Sequence, residues 1–208
     1  MNWDLAEGWQ WQTLRELVMP VRNQISPDSI DPAVKYVGLE HVTSGLGEYA
    51  GVPAGEALLK SAKFQFIAGD LLYGKLRPNL RKCVVAEDAG VCSTDLMPLR
   101  PKIPEAAEFL AMQLRSQTFT DQVMRMVGGA NLPRVNVKDL LTVRVAVPPG
   151  HEQQRLFEAV AASRHLRQAL RSFEQSVIAV EAATTAWVLG LPEAGPSRPL
   201  KDAFGSSG

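Results

Sequence analysis

The stretch Val147-Pro148-Pro149-Gly150-His151-Glu152-Gln153-Gln154-Arg155-Leu156-Phe157 divides this sequence into two halves of different character. Upstream of it, short apolar runs are broken repeatedly by glycine and proline. Downstream, residues 152–191 contain no proline and one glycine, Gly190. Leu156, Ala159, Ser163, Leu166, Leu170, Phe173, Val177, Val180, Thr184, Trp187 and Leu191 then recur at alternating steps of three and four. That is the heptad spacing of a coiled-coil seam. A helix of about 40 residues at 1.5 Å per residue spans roughly 60 Å, longer than a domain of this size is wide. The pattern predicts one long helix that either folds back on its own domain or pairs with a second long helix. The polar seam residues Ser163 and Thr184 favour pairing.

Upstream, Tyr36-Val37, Phe64-Gln65-Phe66, Leu71-Leu72-Tyr73, Cys83-Val84-Val85-Ala86 and the runs at 96–99 and 143–147 read as short strands bounded by Gly, Pro or Asp. Residues 105–115 and 119–127 have helical spacing, with Phe109, Leu110 and Leu114 on one face and Phe119, Val123 and Met126 on another. The expected fold is therefore α+β: a small mixed-sheet domain over residues 1–149, a long coiled-coil helix over 150–191, and a linker or flexible tail over 192–208. Gly45, Gly47, Gly51, Pro53 and Gly55 predict a long surface loop.

The chain has 208 residues, 46% of them hydrophobic and 21% charged, which is the composition of a globular domain and excludes a disordered one. No run of 18 apolar residues occurs and the first residues lack the basic-then-apolar order of a signal peptide, so a cytoplasmic protein with no membrane partner is expected. Cys83 and Cys92 are spaced neither as a zinc site nor as a redox pair, and both fall in strand-like runs as buried free thiols.

The formal net charge is zero, yet residues 60–82 hold Lys60, Lys63, Lys75, Arg77, Arg81 and Lys82 against the single acid Asp70. The segment reads as a strand entering a loop at Gly74 and Pro78. Guanidinium and ammonium groups suit phosphate oxygens, and Arg and Asn also pair bidentately with guanine and adenine edges. Lys75, Arg77, Arg81 and Lys82, followed by Lys63 and Asn79, are the candidate polyanion contacts; a solvated basic hairpin is the alternative. A second candidate is the loop at 128–134, where two glycines permit close backbone approach and Asn131 and Arg134 supply readers. It reads equally as a helix-ending turn. His41, beside Thr43 and Ser44, is either a third contact or an ordinary loop histidine.

No catalytic set is visible: the sequence lacks a phosphate-binding Gly-x-x-x-x-Gly-Lys-Ser/Thr loop, an amino-methyltransferase motif and His-rich metal spacing. Two competing readings remain open. One is a coiled-coil adaptor whose globular domain binds protein; the other is a metal-dependent nuclease using Asp70, Glu87 and Lys75.

The ordered set of motifs resembles the specificity subunits of type I restriction-modification systems. It runs through residues 9–17, Tyr36-Val37-Gly38-Leu39-Glu40-His41-Val42, Gly69-Asp70-Leu71-Leu72-Tyr73-Gly74-Lys75-Leu76-Arg77-Pro78 and Gly90-Val91-Cys92-Ser93-Thr94-Asp95. It continues with Gly128-Gly129-Ala130-Asn131-Leu132-Pro133-Arg134-Val135 and ends at Val147-Pro148-Pro149 and Glu152-Gln153-Gln154-Arg155. The resemblance implies a target recognition domain that reads double-stranded DNA, followed by a spacer helix. Members of that family usually carry two such units, whereas this chain resembles one: a half-sized subunit forming a homodimer through Leu156, Leu166, Leu170, Phe173, Val177, Val180 and Trp187 is expected, and a truncated longer chain is the alternative. No cofactor is expected on this chain. The resemblance places S-adenosylmethionine on a modification (methyltransferase) subunit docked along the helix, and ATP on an indirectly bound restriction/motor subunit.

Overall fold

The computed structural model describes residues 5–127 and 132–189, with side chains up to Thr185. The chain divides after Ala161 into two compact units. In the first, β1 (Gln10–Thr13) runs into the one-turn helix α1 (Leu14–Leu17). Glu16 fixes that turn by accepting hydrogen bonds from the Thr13 N–H and hydroxyl at 2.6 and 2.7 Å. Nine short strands follow: β2 (Val18–Pro20), β3 (Gln24–Ile25), β4 (Lys35–Val37), β5 (Val52–Pro53), β6 (Lys63–Phe66), β7 (Leu71–Gly74), β8 (Cys83–Val85), β9 (Gly90–Cys92) and β10 (Leu96–Pro101). Helices α2 (Ala107–Leu114), α3 (Gln117–Met124) and α4 (Val137–Leu140) lead to β11 (Arg144–Val147) and the long helix α5 (Gly150–Leu189).

The strands form three sheets. A four-stranded antiparallel sheet has the order β2-β10-β7-β8, and a five-stranded sheet the order β3-β6-β9-β4-β5. The latter is mixed, because β4 runs parallel to β9 while its other pairs are antiparallel. In the third, β1 pairs with β11, Gln10 opposite Val147 and Thr13 opposite Arg144, tying the start of the chain to the strand that precedes α5. The architecture is α+β.

The main core gathers Leu14, Leu71, Leu72, Tyr73, Leu96, Met97, Phe109 and Leu114. β7 and β8 are buried throughout, which is why they read as continuous apolar runs rather than as alternation. A ring chain, Trp9 to Phe109 at 6.4 Å and Phe109 to Phe157 at 5.3 Å, seats the first turns of α5 on this core. Leu156 and Val160 pack there too. Leu156 is therefore a correction to the expected partner seam, since it covers the helix's own domain. A smaller core centres on Tyr36, Ala54 and Val91.

Helical spacing predicted α2 and α3, and Ser116 separates them: its hydroxyl accepts from the Phe119 N–H at 3.1 Å and caps α3. Both cysteines are buried and free. No helix among the described residues is long and apolar enough to cross a membrane.

One ion pair anchors the turn before β7. Asp70, 1% exposed, accepts from Arg100 Nε and Nη2 at 2.8 and 2.9 Å and from the Ile67 N–H at 3.0 Å. The hydrogen bond to Asp70 raises the Arg100 pKa. Asp70→Ala removes all three acceptor contacts, but Arg100 is exposed enough to turn to water, so the cost is expected near the low end for a broken buried pair, about 2–3 kcal/mol. Urea unfolding at pH 7 measures it; an unchanged midpoint would deny Asp70 this anchoring role.

Candidate nucleic-acid interface

Residues 75–82 of the basic strip form the loop between the antiparallel strands β7 and β8. At its centre Pro78–Leu80 forms a single 3-10 turn, with Arg77 and Arg81 on either side in the left-handed region at φ +51° and +52°. Pro78 is buried beneath the turn, while Arg77, Asn79 and Arg81 are exposed.

The segment beginning at Leu132 is joined to this loop through the main chain. Arg77 N–H donates to the Pro133 carbonyl at 2.7 Å, Val135 N–H donates to the Lys75 carbonyl at 3.0 Å, and Leu76 bridges Arg134 in antiparallel register. Two stretches more than 50 residues apart thus form one edge. Lys75 N–H donates to the Asp95 carbonyl at 2.8 Å, and the Asp95 carboxylate pairs with Arg134. Burial, then the nearby Arg134 charge, lowers the Lys75 pKa. Its ammonium also lies 5.5 Å from the centre of the Phe64 ring.

A third segment closes the other side. Lys82 Nζ donates to the Leu39 carbonyl at 2.8 Å, holding the 3-10 turn Leu39–His41 against the hairpin. Gly74 permits this approach: a Cβ there would meet Leu39 Cδ1 at 3.0 Å and the Lys82 carbonyl at 3.2 Å. Gly45 N–H donates to the Arg81 carbonyl at 3.3 Å. Gly47, at φ +77°, leaves its side-chain space to the Arg115 guanidinium, which donates to the Cys83 carbonyl at 3.0 Å. Arg115 is a cation of this surface that sequence reasoning missed, because only folding brings it beside β8.

The candidates therefore separate by environment. Arg77, Asn79 and Arg81 face solvent together. Lys75 and Lys82 are half-buried and support the loop from behind, and Arg134 stands beside them paired with Asp95. Lys63 is a correction: it is 6% exposed and its ammonium donates to the Ser61 carbonyl and hydroxyl, so it is not an open cation of this surface. His41 Nδ1 accepts from the Gly38 N–H at 2.9 Å and its ring packs edge-on to Tyr36, which makes it a brace of the 39–41 turn. Asn131 lies outside the described residues, as does the Trp187 side chain. Of the carboxylates in the nuclease reading, Asp70 is already held by the Arg100 guanidinium. No cluster of His, Cys, Asp and Glu able to hold a metal exists among the described residues.

No family model matches the chain. A curated protein, the type I restriction enzyme EcoDI specificity subunit of Escherichia coli, is 29% identical over 157 residues, covering 75% of this chain and 35% of that protein. Over those residues the chain is similar to a type I specificity subunit. The fold agrees with that similarity. The HsdS subunit from Thermoanaerobacter tengcongensis superposes with a TM-score of 0.61 at 23% identity, over 95% of this chain and 53% of that one. A structure of a type I R-M system gives 0.63 at 23% identity, over 96% and 53%. The S subunit from M. genitalium gives 0.60 at 13% identity, over 91% and 48%. The chain thus spans about a third of the curated protein's length and about half of each solved subunit. In this chain, Leu166, Leu170, Phe173, Val177, Ile178 and Val180 of α5 are all exposed.

Proposed function

We propose that this chain reads one half of a split double-stranded DNA target, pairs with a second copy through the heptad face of α5, and docks a methyltransferase subunit along that helix. Chemistry then belongs to partners: methyl transfer from S-adenosylmethionine on the modification subunit, and ATP-driven restriction on a motor subunit bound indirectly. The observation that carries the reading is the joining of the 75–82 and 132–135 segments into one cationic edge on a protein of zero net charge. A neutral protein gains nucleic-acid affinity through such a local surface rather than through bulk charge. The similarity to the EcoDI specificity subunit supports the same conclusion.

Titration of fluorescent duplexes containing randomised sites, across 50–300 mM salt, tests it. Two to four phosphate contacts correspond to a slope of log K against log salt of about −2 to −4, and selection should enrich a defined short sequence. The adaptor reading expects neither slope nor enrichment, and a flat salt response would replace the DNA reading with it.

A further inference from the structure

Arg77 and Arg81 occupy the two backbone positions of the recognition loop that an L side chain fits worst. Left-handed geometry crowds Cβ against the following carbonyl, which is why glycine, and after it asparagine, normally holds such positions. Arg77 is doubly disfavoured, because the residue before a proline is pushed toward extended conformations. The loop contains an asparagine, yet Asn79 sits inside the 3-10 turn and not at either left-handed site.

The backbone leaves neither arginine another choice. Arg77 donates to Pro133 and accepts from Leu80 at 2.9 Å; Arg81 donates to Pro78 at 2.9 Å and accepts from Gly45. Every main-chain group of both residues is used, so the conformation is imposed from outside. The side chains repay nothing inside the fold: both are exposed, and neither guanidinium has a hydrogen bond or ion pair with another described residue. The neighbouring cations behave oppositely: Lys82, Arg115 and Arg134 are each bound to a named partner, and the half-buried Lys75 ammonium lies over the Phe64 ring.

We infer that Arg77 and Arg81 are the principal cationic contacts to DNA, kept at strained positions against the stability of the fold, while Lys75, Lys82 and Arg134 hold the loop in place. The inference rests on the DNA-reading function proposed above and assigns its contacts.

The test pairs thermal unfolding with DNA binding for R77G, R81G and the charge-keeping R77K and R81K. Glycine relieves the backbone and removes the cation, so each glycine variant should melt roughly 2–4 °C higher and bind the selected duplex about tenfold more weakly. The lysine variants should melt like the parent and retain most of the affinity. A uniform loss with a salt slope shallower by about 1 identifies a phosphate contact, and relaxed preference at one base pair identifies a base contact; both support the inference. A lower melting temperature in the glycine variants would give the arginines a structural role and overturn it, as would a raised melting temperature with unchanged affinity. If the parent chain binds no duplex at any salt, the DNA reading itself falls. Binding by the parent that survives both glycine substitutions removes only the present assignment.

Discussion

A chain carrying Leu170→Glu and Phe173→Glu is expected to sediment as a monomer at concentrations where the parent is a dimer, and to bind a duplex with two half-sites about 10²–10⁴-fold more weakly. Leu166, Leu170, Phe173 and Val180 are each more than half exposed. A contiguous row of that size is rare on a soluble monomer. Burying one such side chain stabilises by about 1.5–3 kcal/mol, and a symmetric pair of helices buries each of them twice. Over four such side chains per helix that is roughly 12–24 kcal/mol, against an association cost of about 4–15 kcal/mol, so the balance favours the proposed pairing over most of that range. Two glutamates at seam positions reverse that balance, because pairing would then bury four carboxylates. In the monomer they are ordinary exposed helix residues, so the first unit stays folded.

The binding loss has a separate origin. Two joined readers gain effective concentration on a split site, and the variant forfeits this without losing any contact to DNA. Its affinity for a duplex with one half-site should therefore match the parent's. Sedimentation velocity together with titration of the two duplexes decides the matter. A parent chain that is monomeric at 10 μM, or a variant that still dimerises, would remove the heptad face from the pairing role.

The same helix marks how far the sequence could be read. An unbroken heptad pattern without proline is a local signal, and α5 follows it from Gly150 to Leu189. The pattern does not reveal where the helix's own domain ends its claim on it: Leu156 obeys the heptad yet packs inward beside Phe157. Strand β1 has a local signal in Trp9-Gln10-Trp11-Gln12-Thr13, which alternates as a half-buried strand should, and its partner β11 is the apolar run 143–147; their pairing across some 130 residues leaves no local trace. In the site, the sequence marked the cations but not their environments. Lys63 shares a strand with the outward Gln65, so alternation put it in solvent, whereas its ammonium folds onto Ser61. The pairing of Arg134 with Asp95 is long-range. The left-handed arginines ran against expectation, because a proline next in sequence argues for an extended Arg77.

Alkaline pH should unfold this protein through its two thiols. Cys83 in β8 and Cys92 in β9 are buried, and burial pushes each thiol from its ordinary value of 9.0 to about 12. The folded state therefore keeps both protons where the unfolded chain releases them. Stability is fully present below pH 9 and is lost as pH rises from 9 to 12. Each thiol contributes a slope of about 1.4 kcal/mol per pH unit in that window. At pH 10.5 the two together remove about 4 kcal/mol, a large part of the 5–15 kcal/mol typical of a domain. Burial also raises the Tyr73 phenol, which steepens the loss at the top of the range. Cys83→Ala isolates the effect. Its cavity lowers stability at pH 8, but the fall between pH 8 and 10.5, followed by urea unfolding, should be about 2 kcal/mol smaller than the parent's. A thiol reagent at pH 8 should label neither cysteine until urea is added. Parallel pH profiles for parent and variant, or rapid labelling of the folded chain, would show that the thiols do not control the alkaline limit.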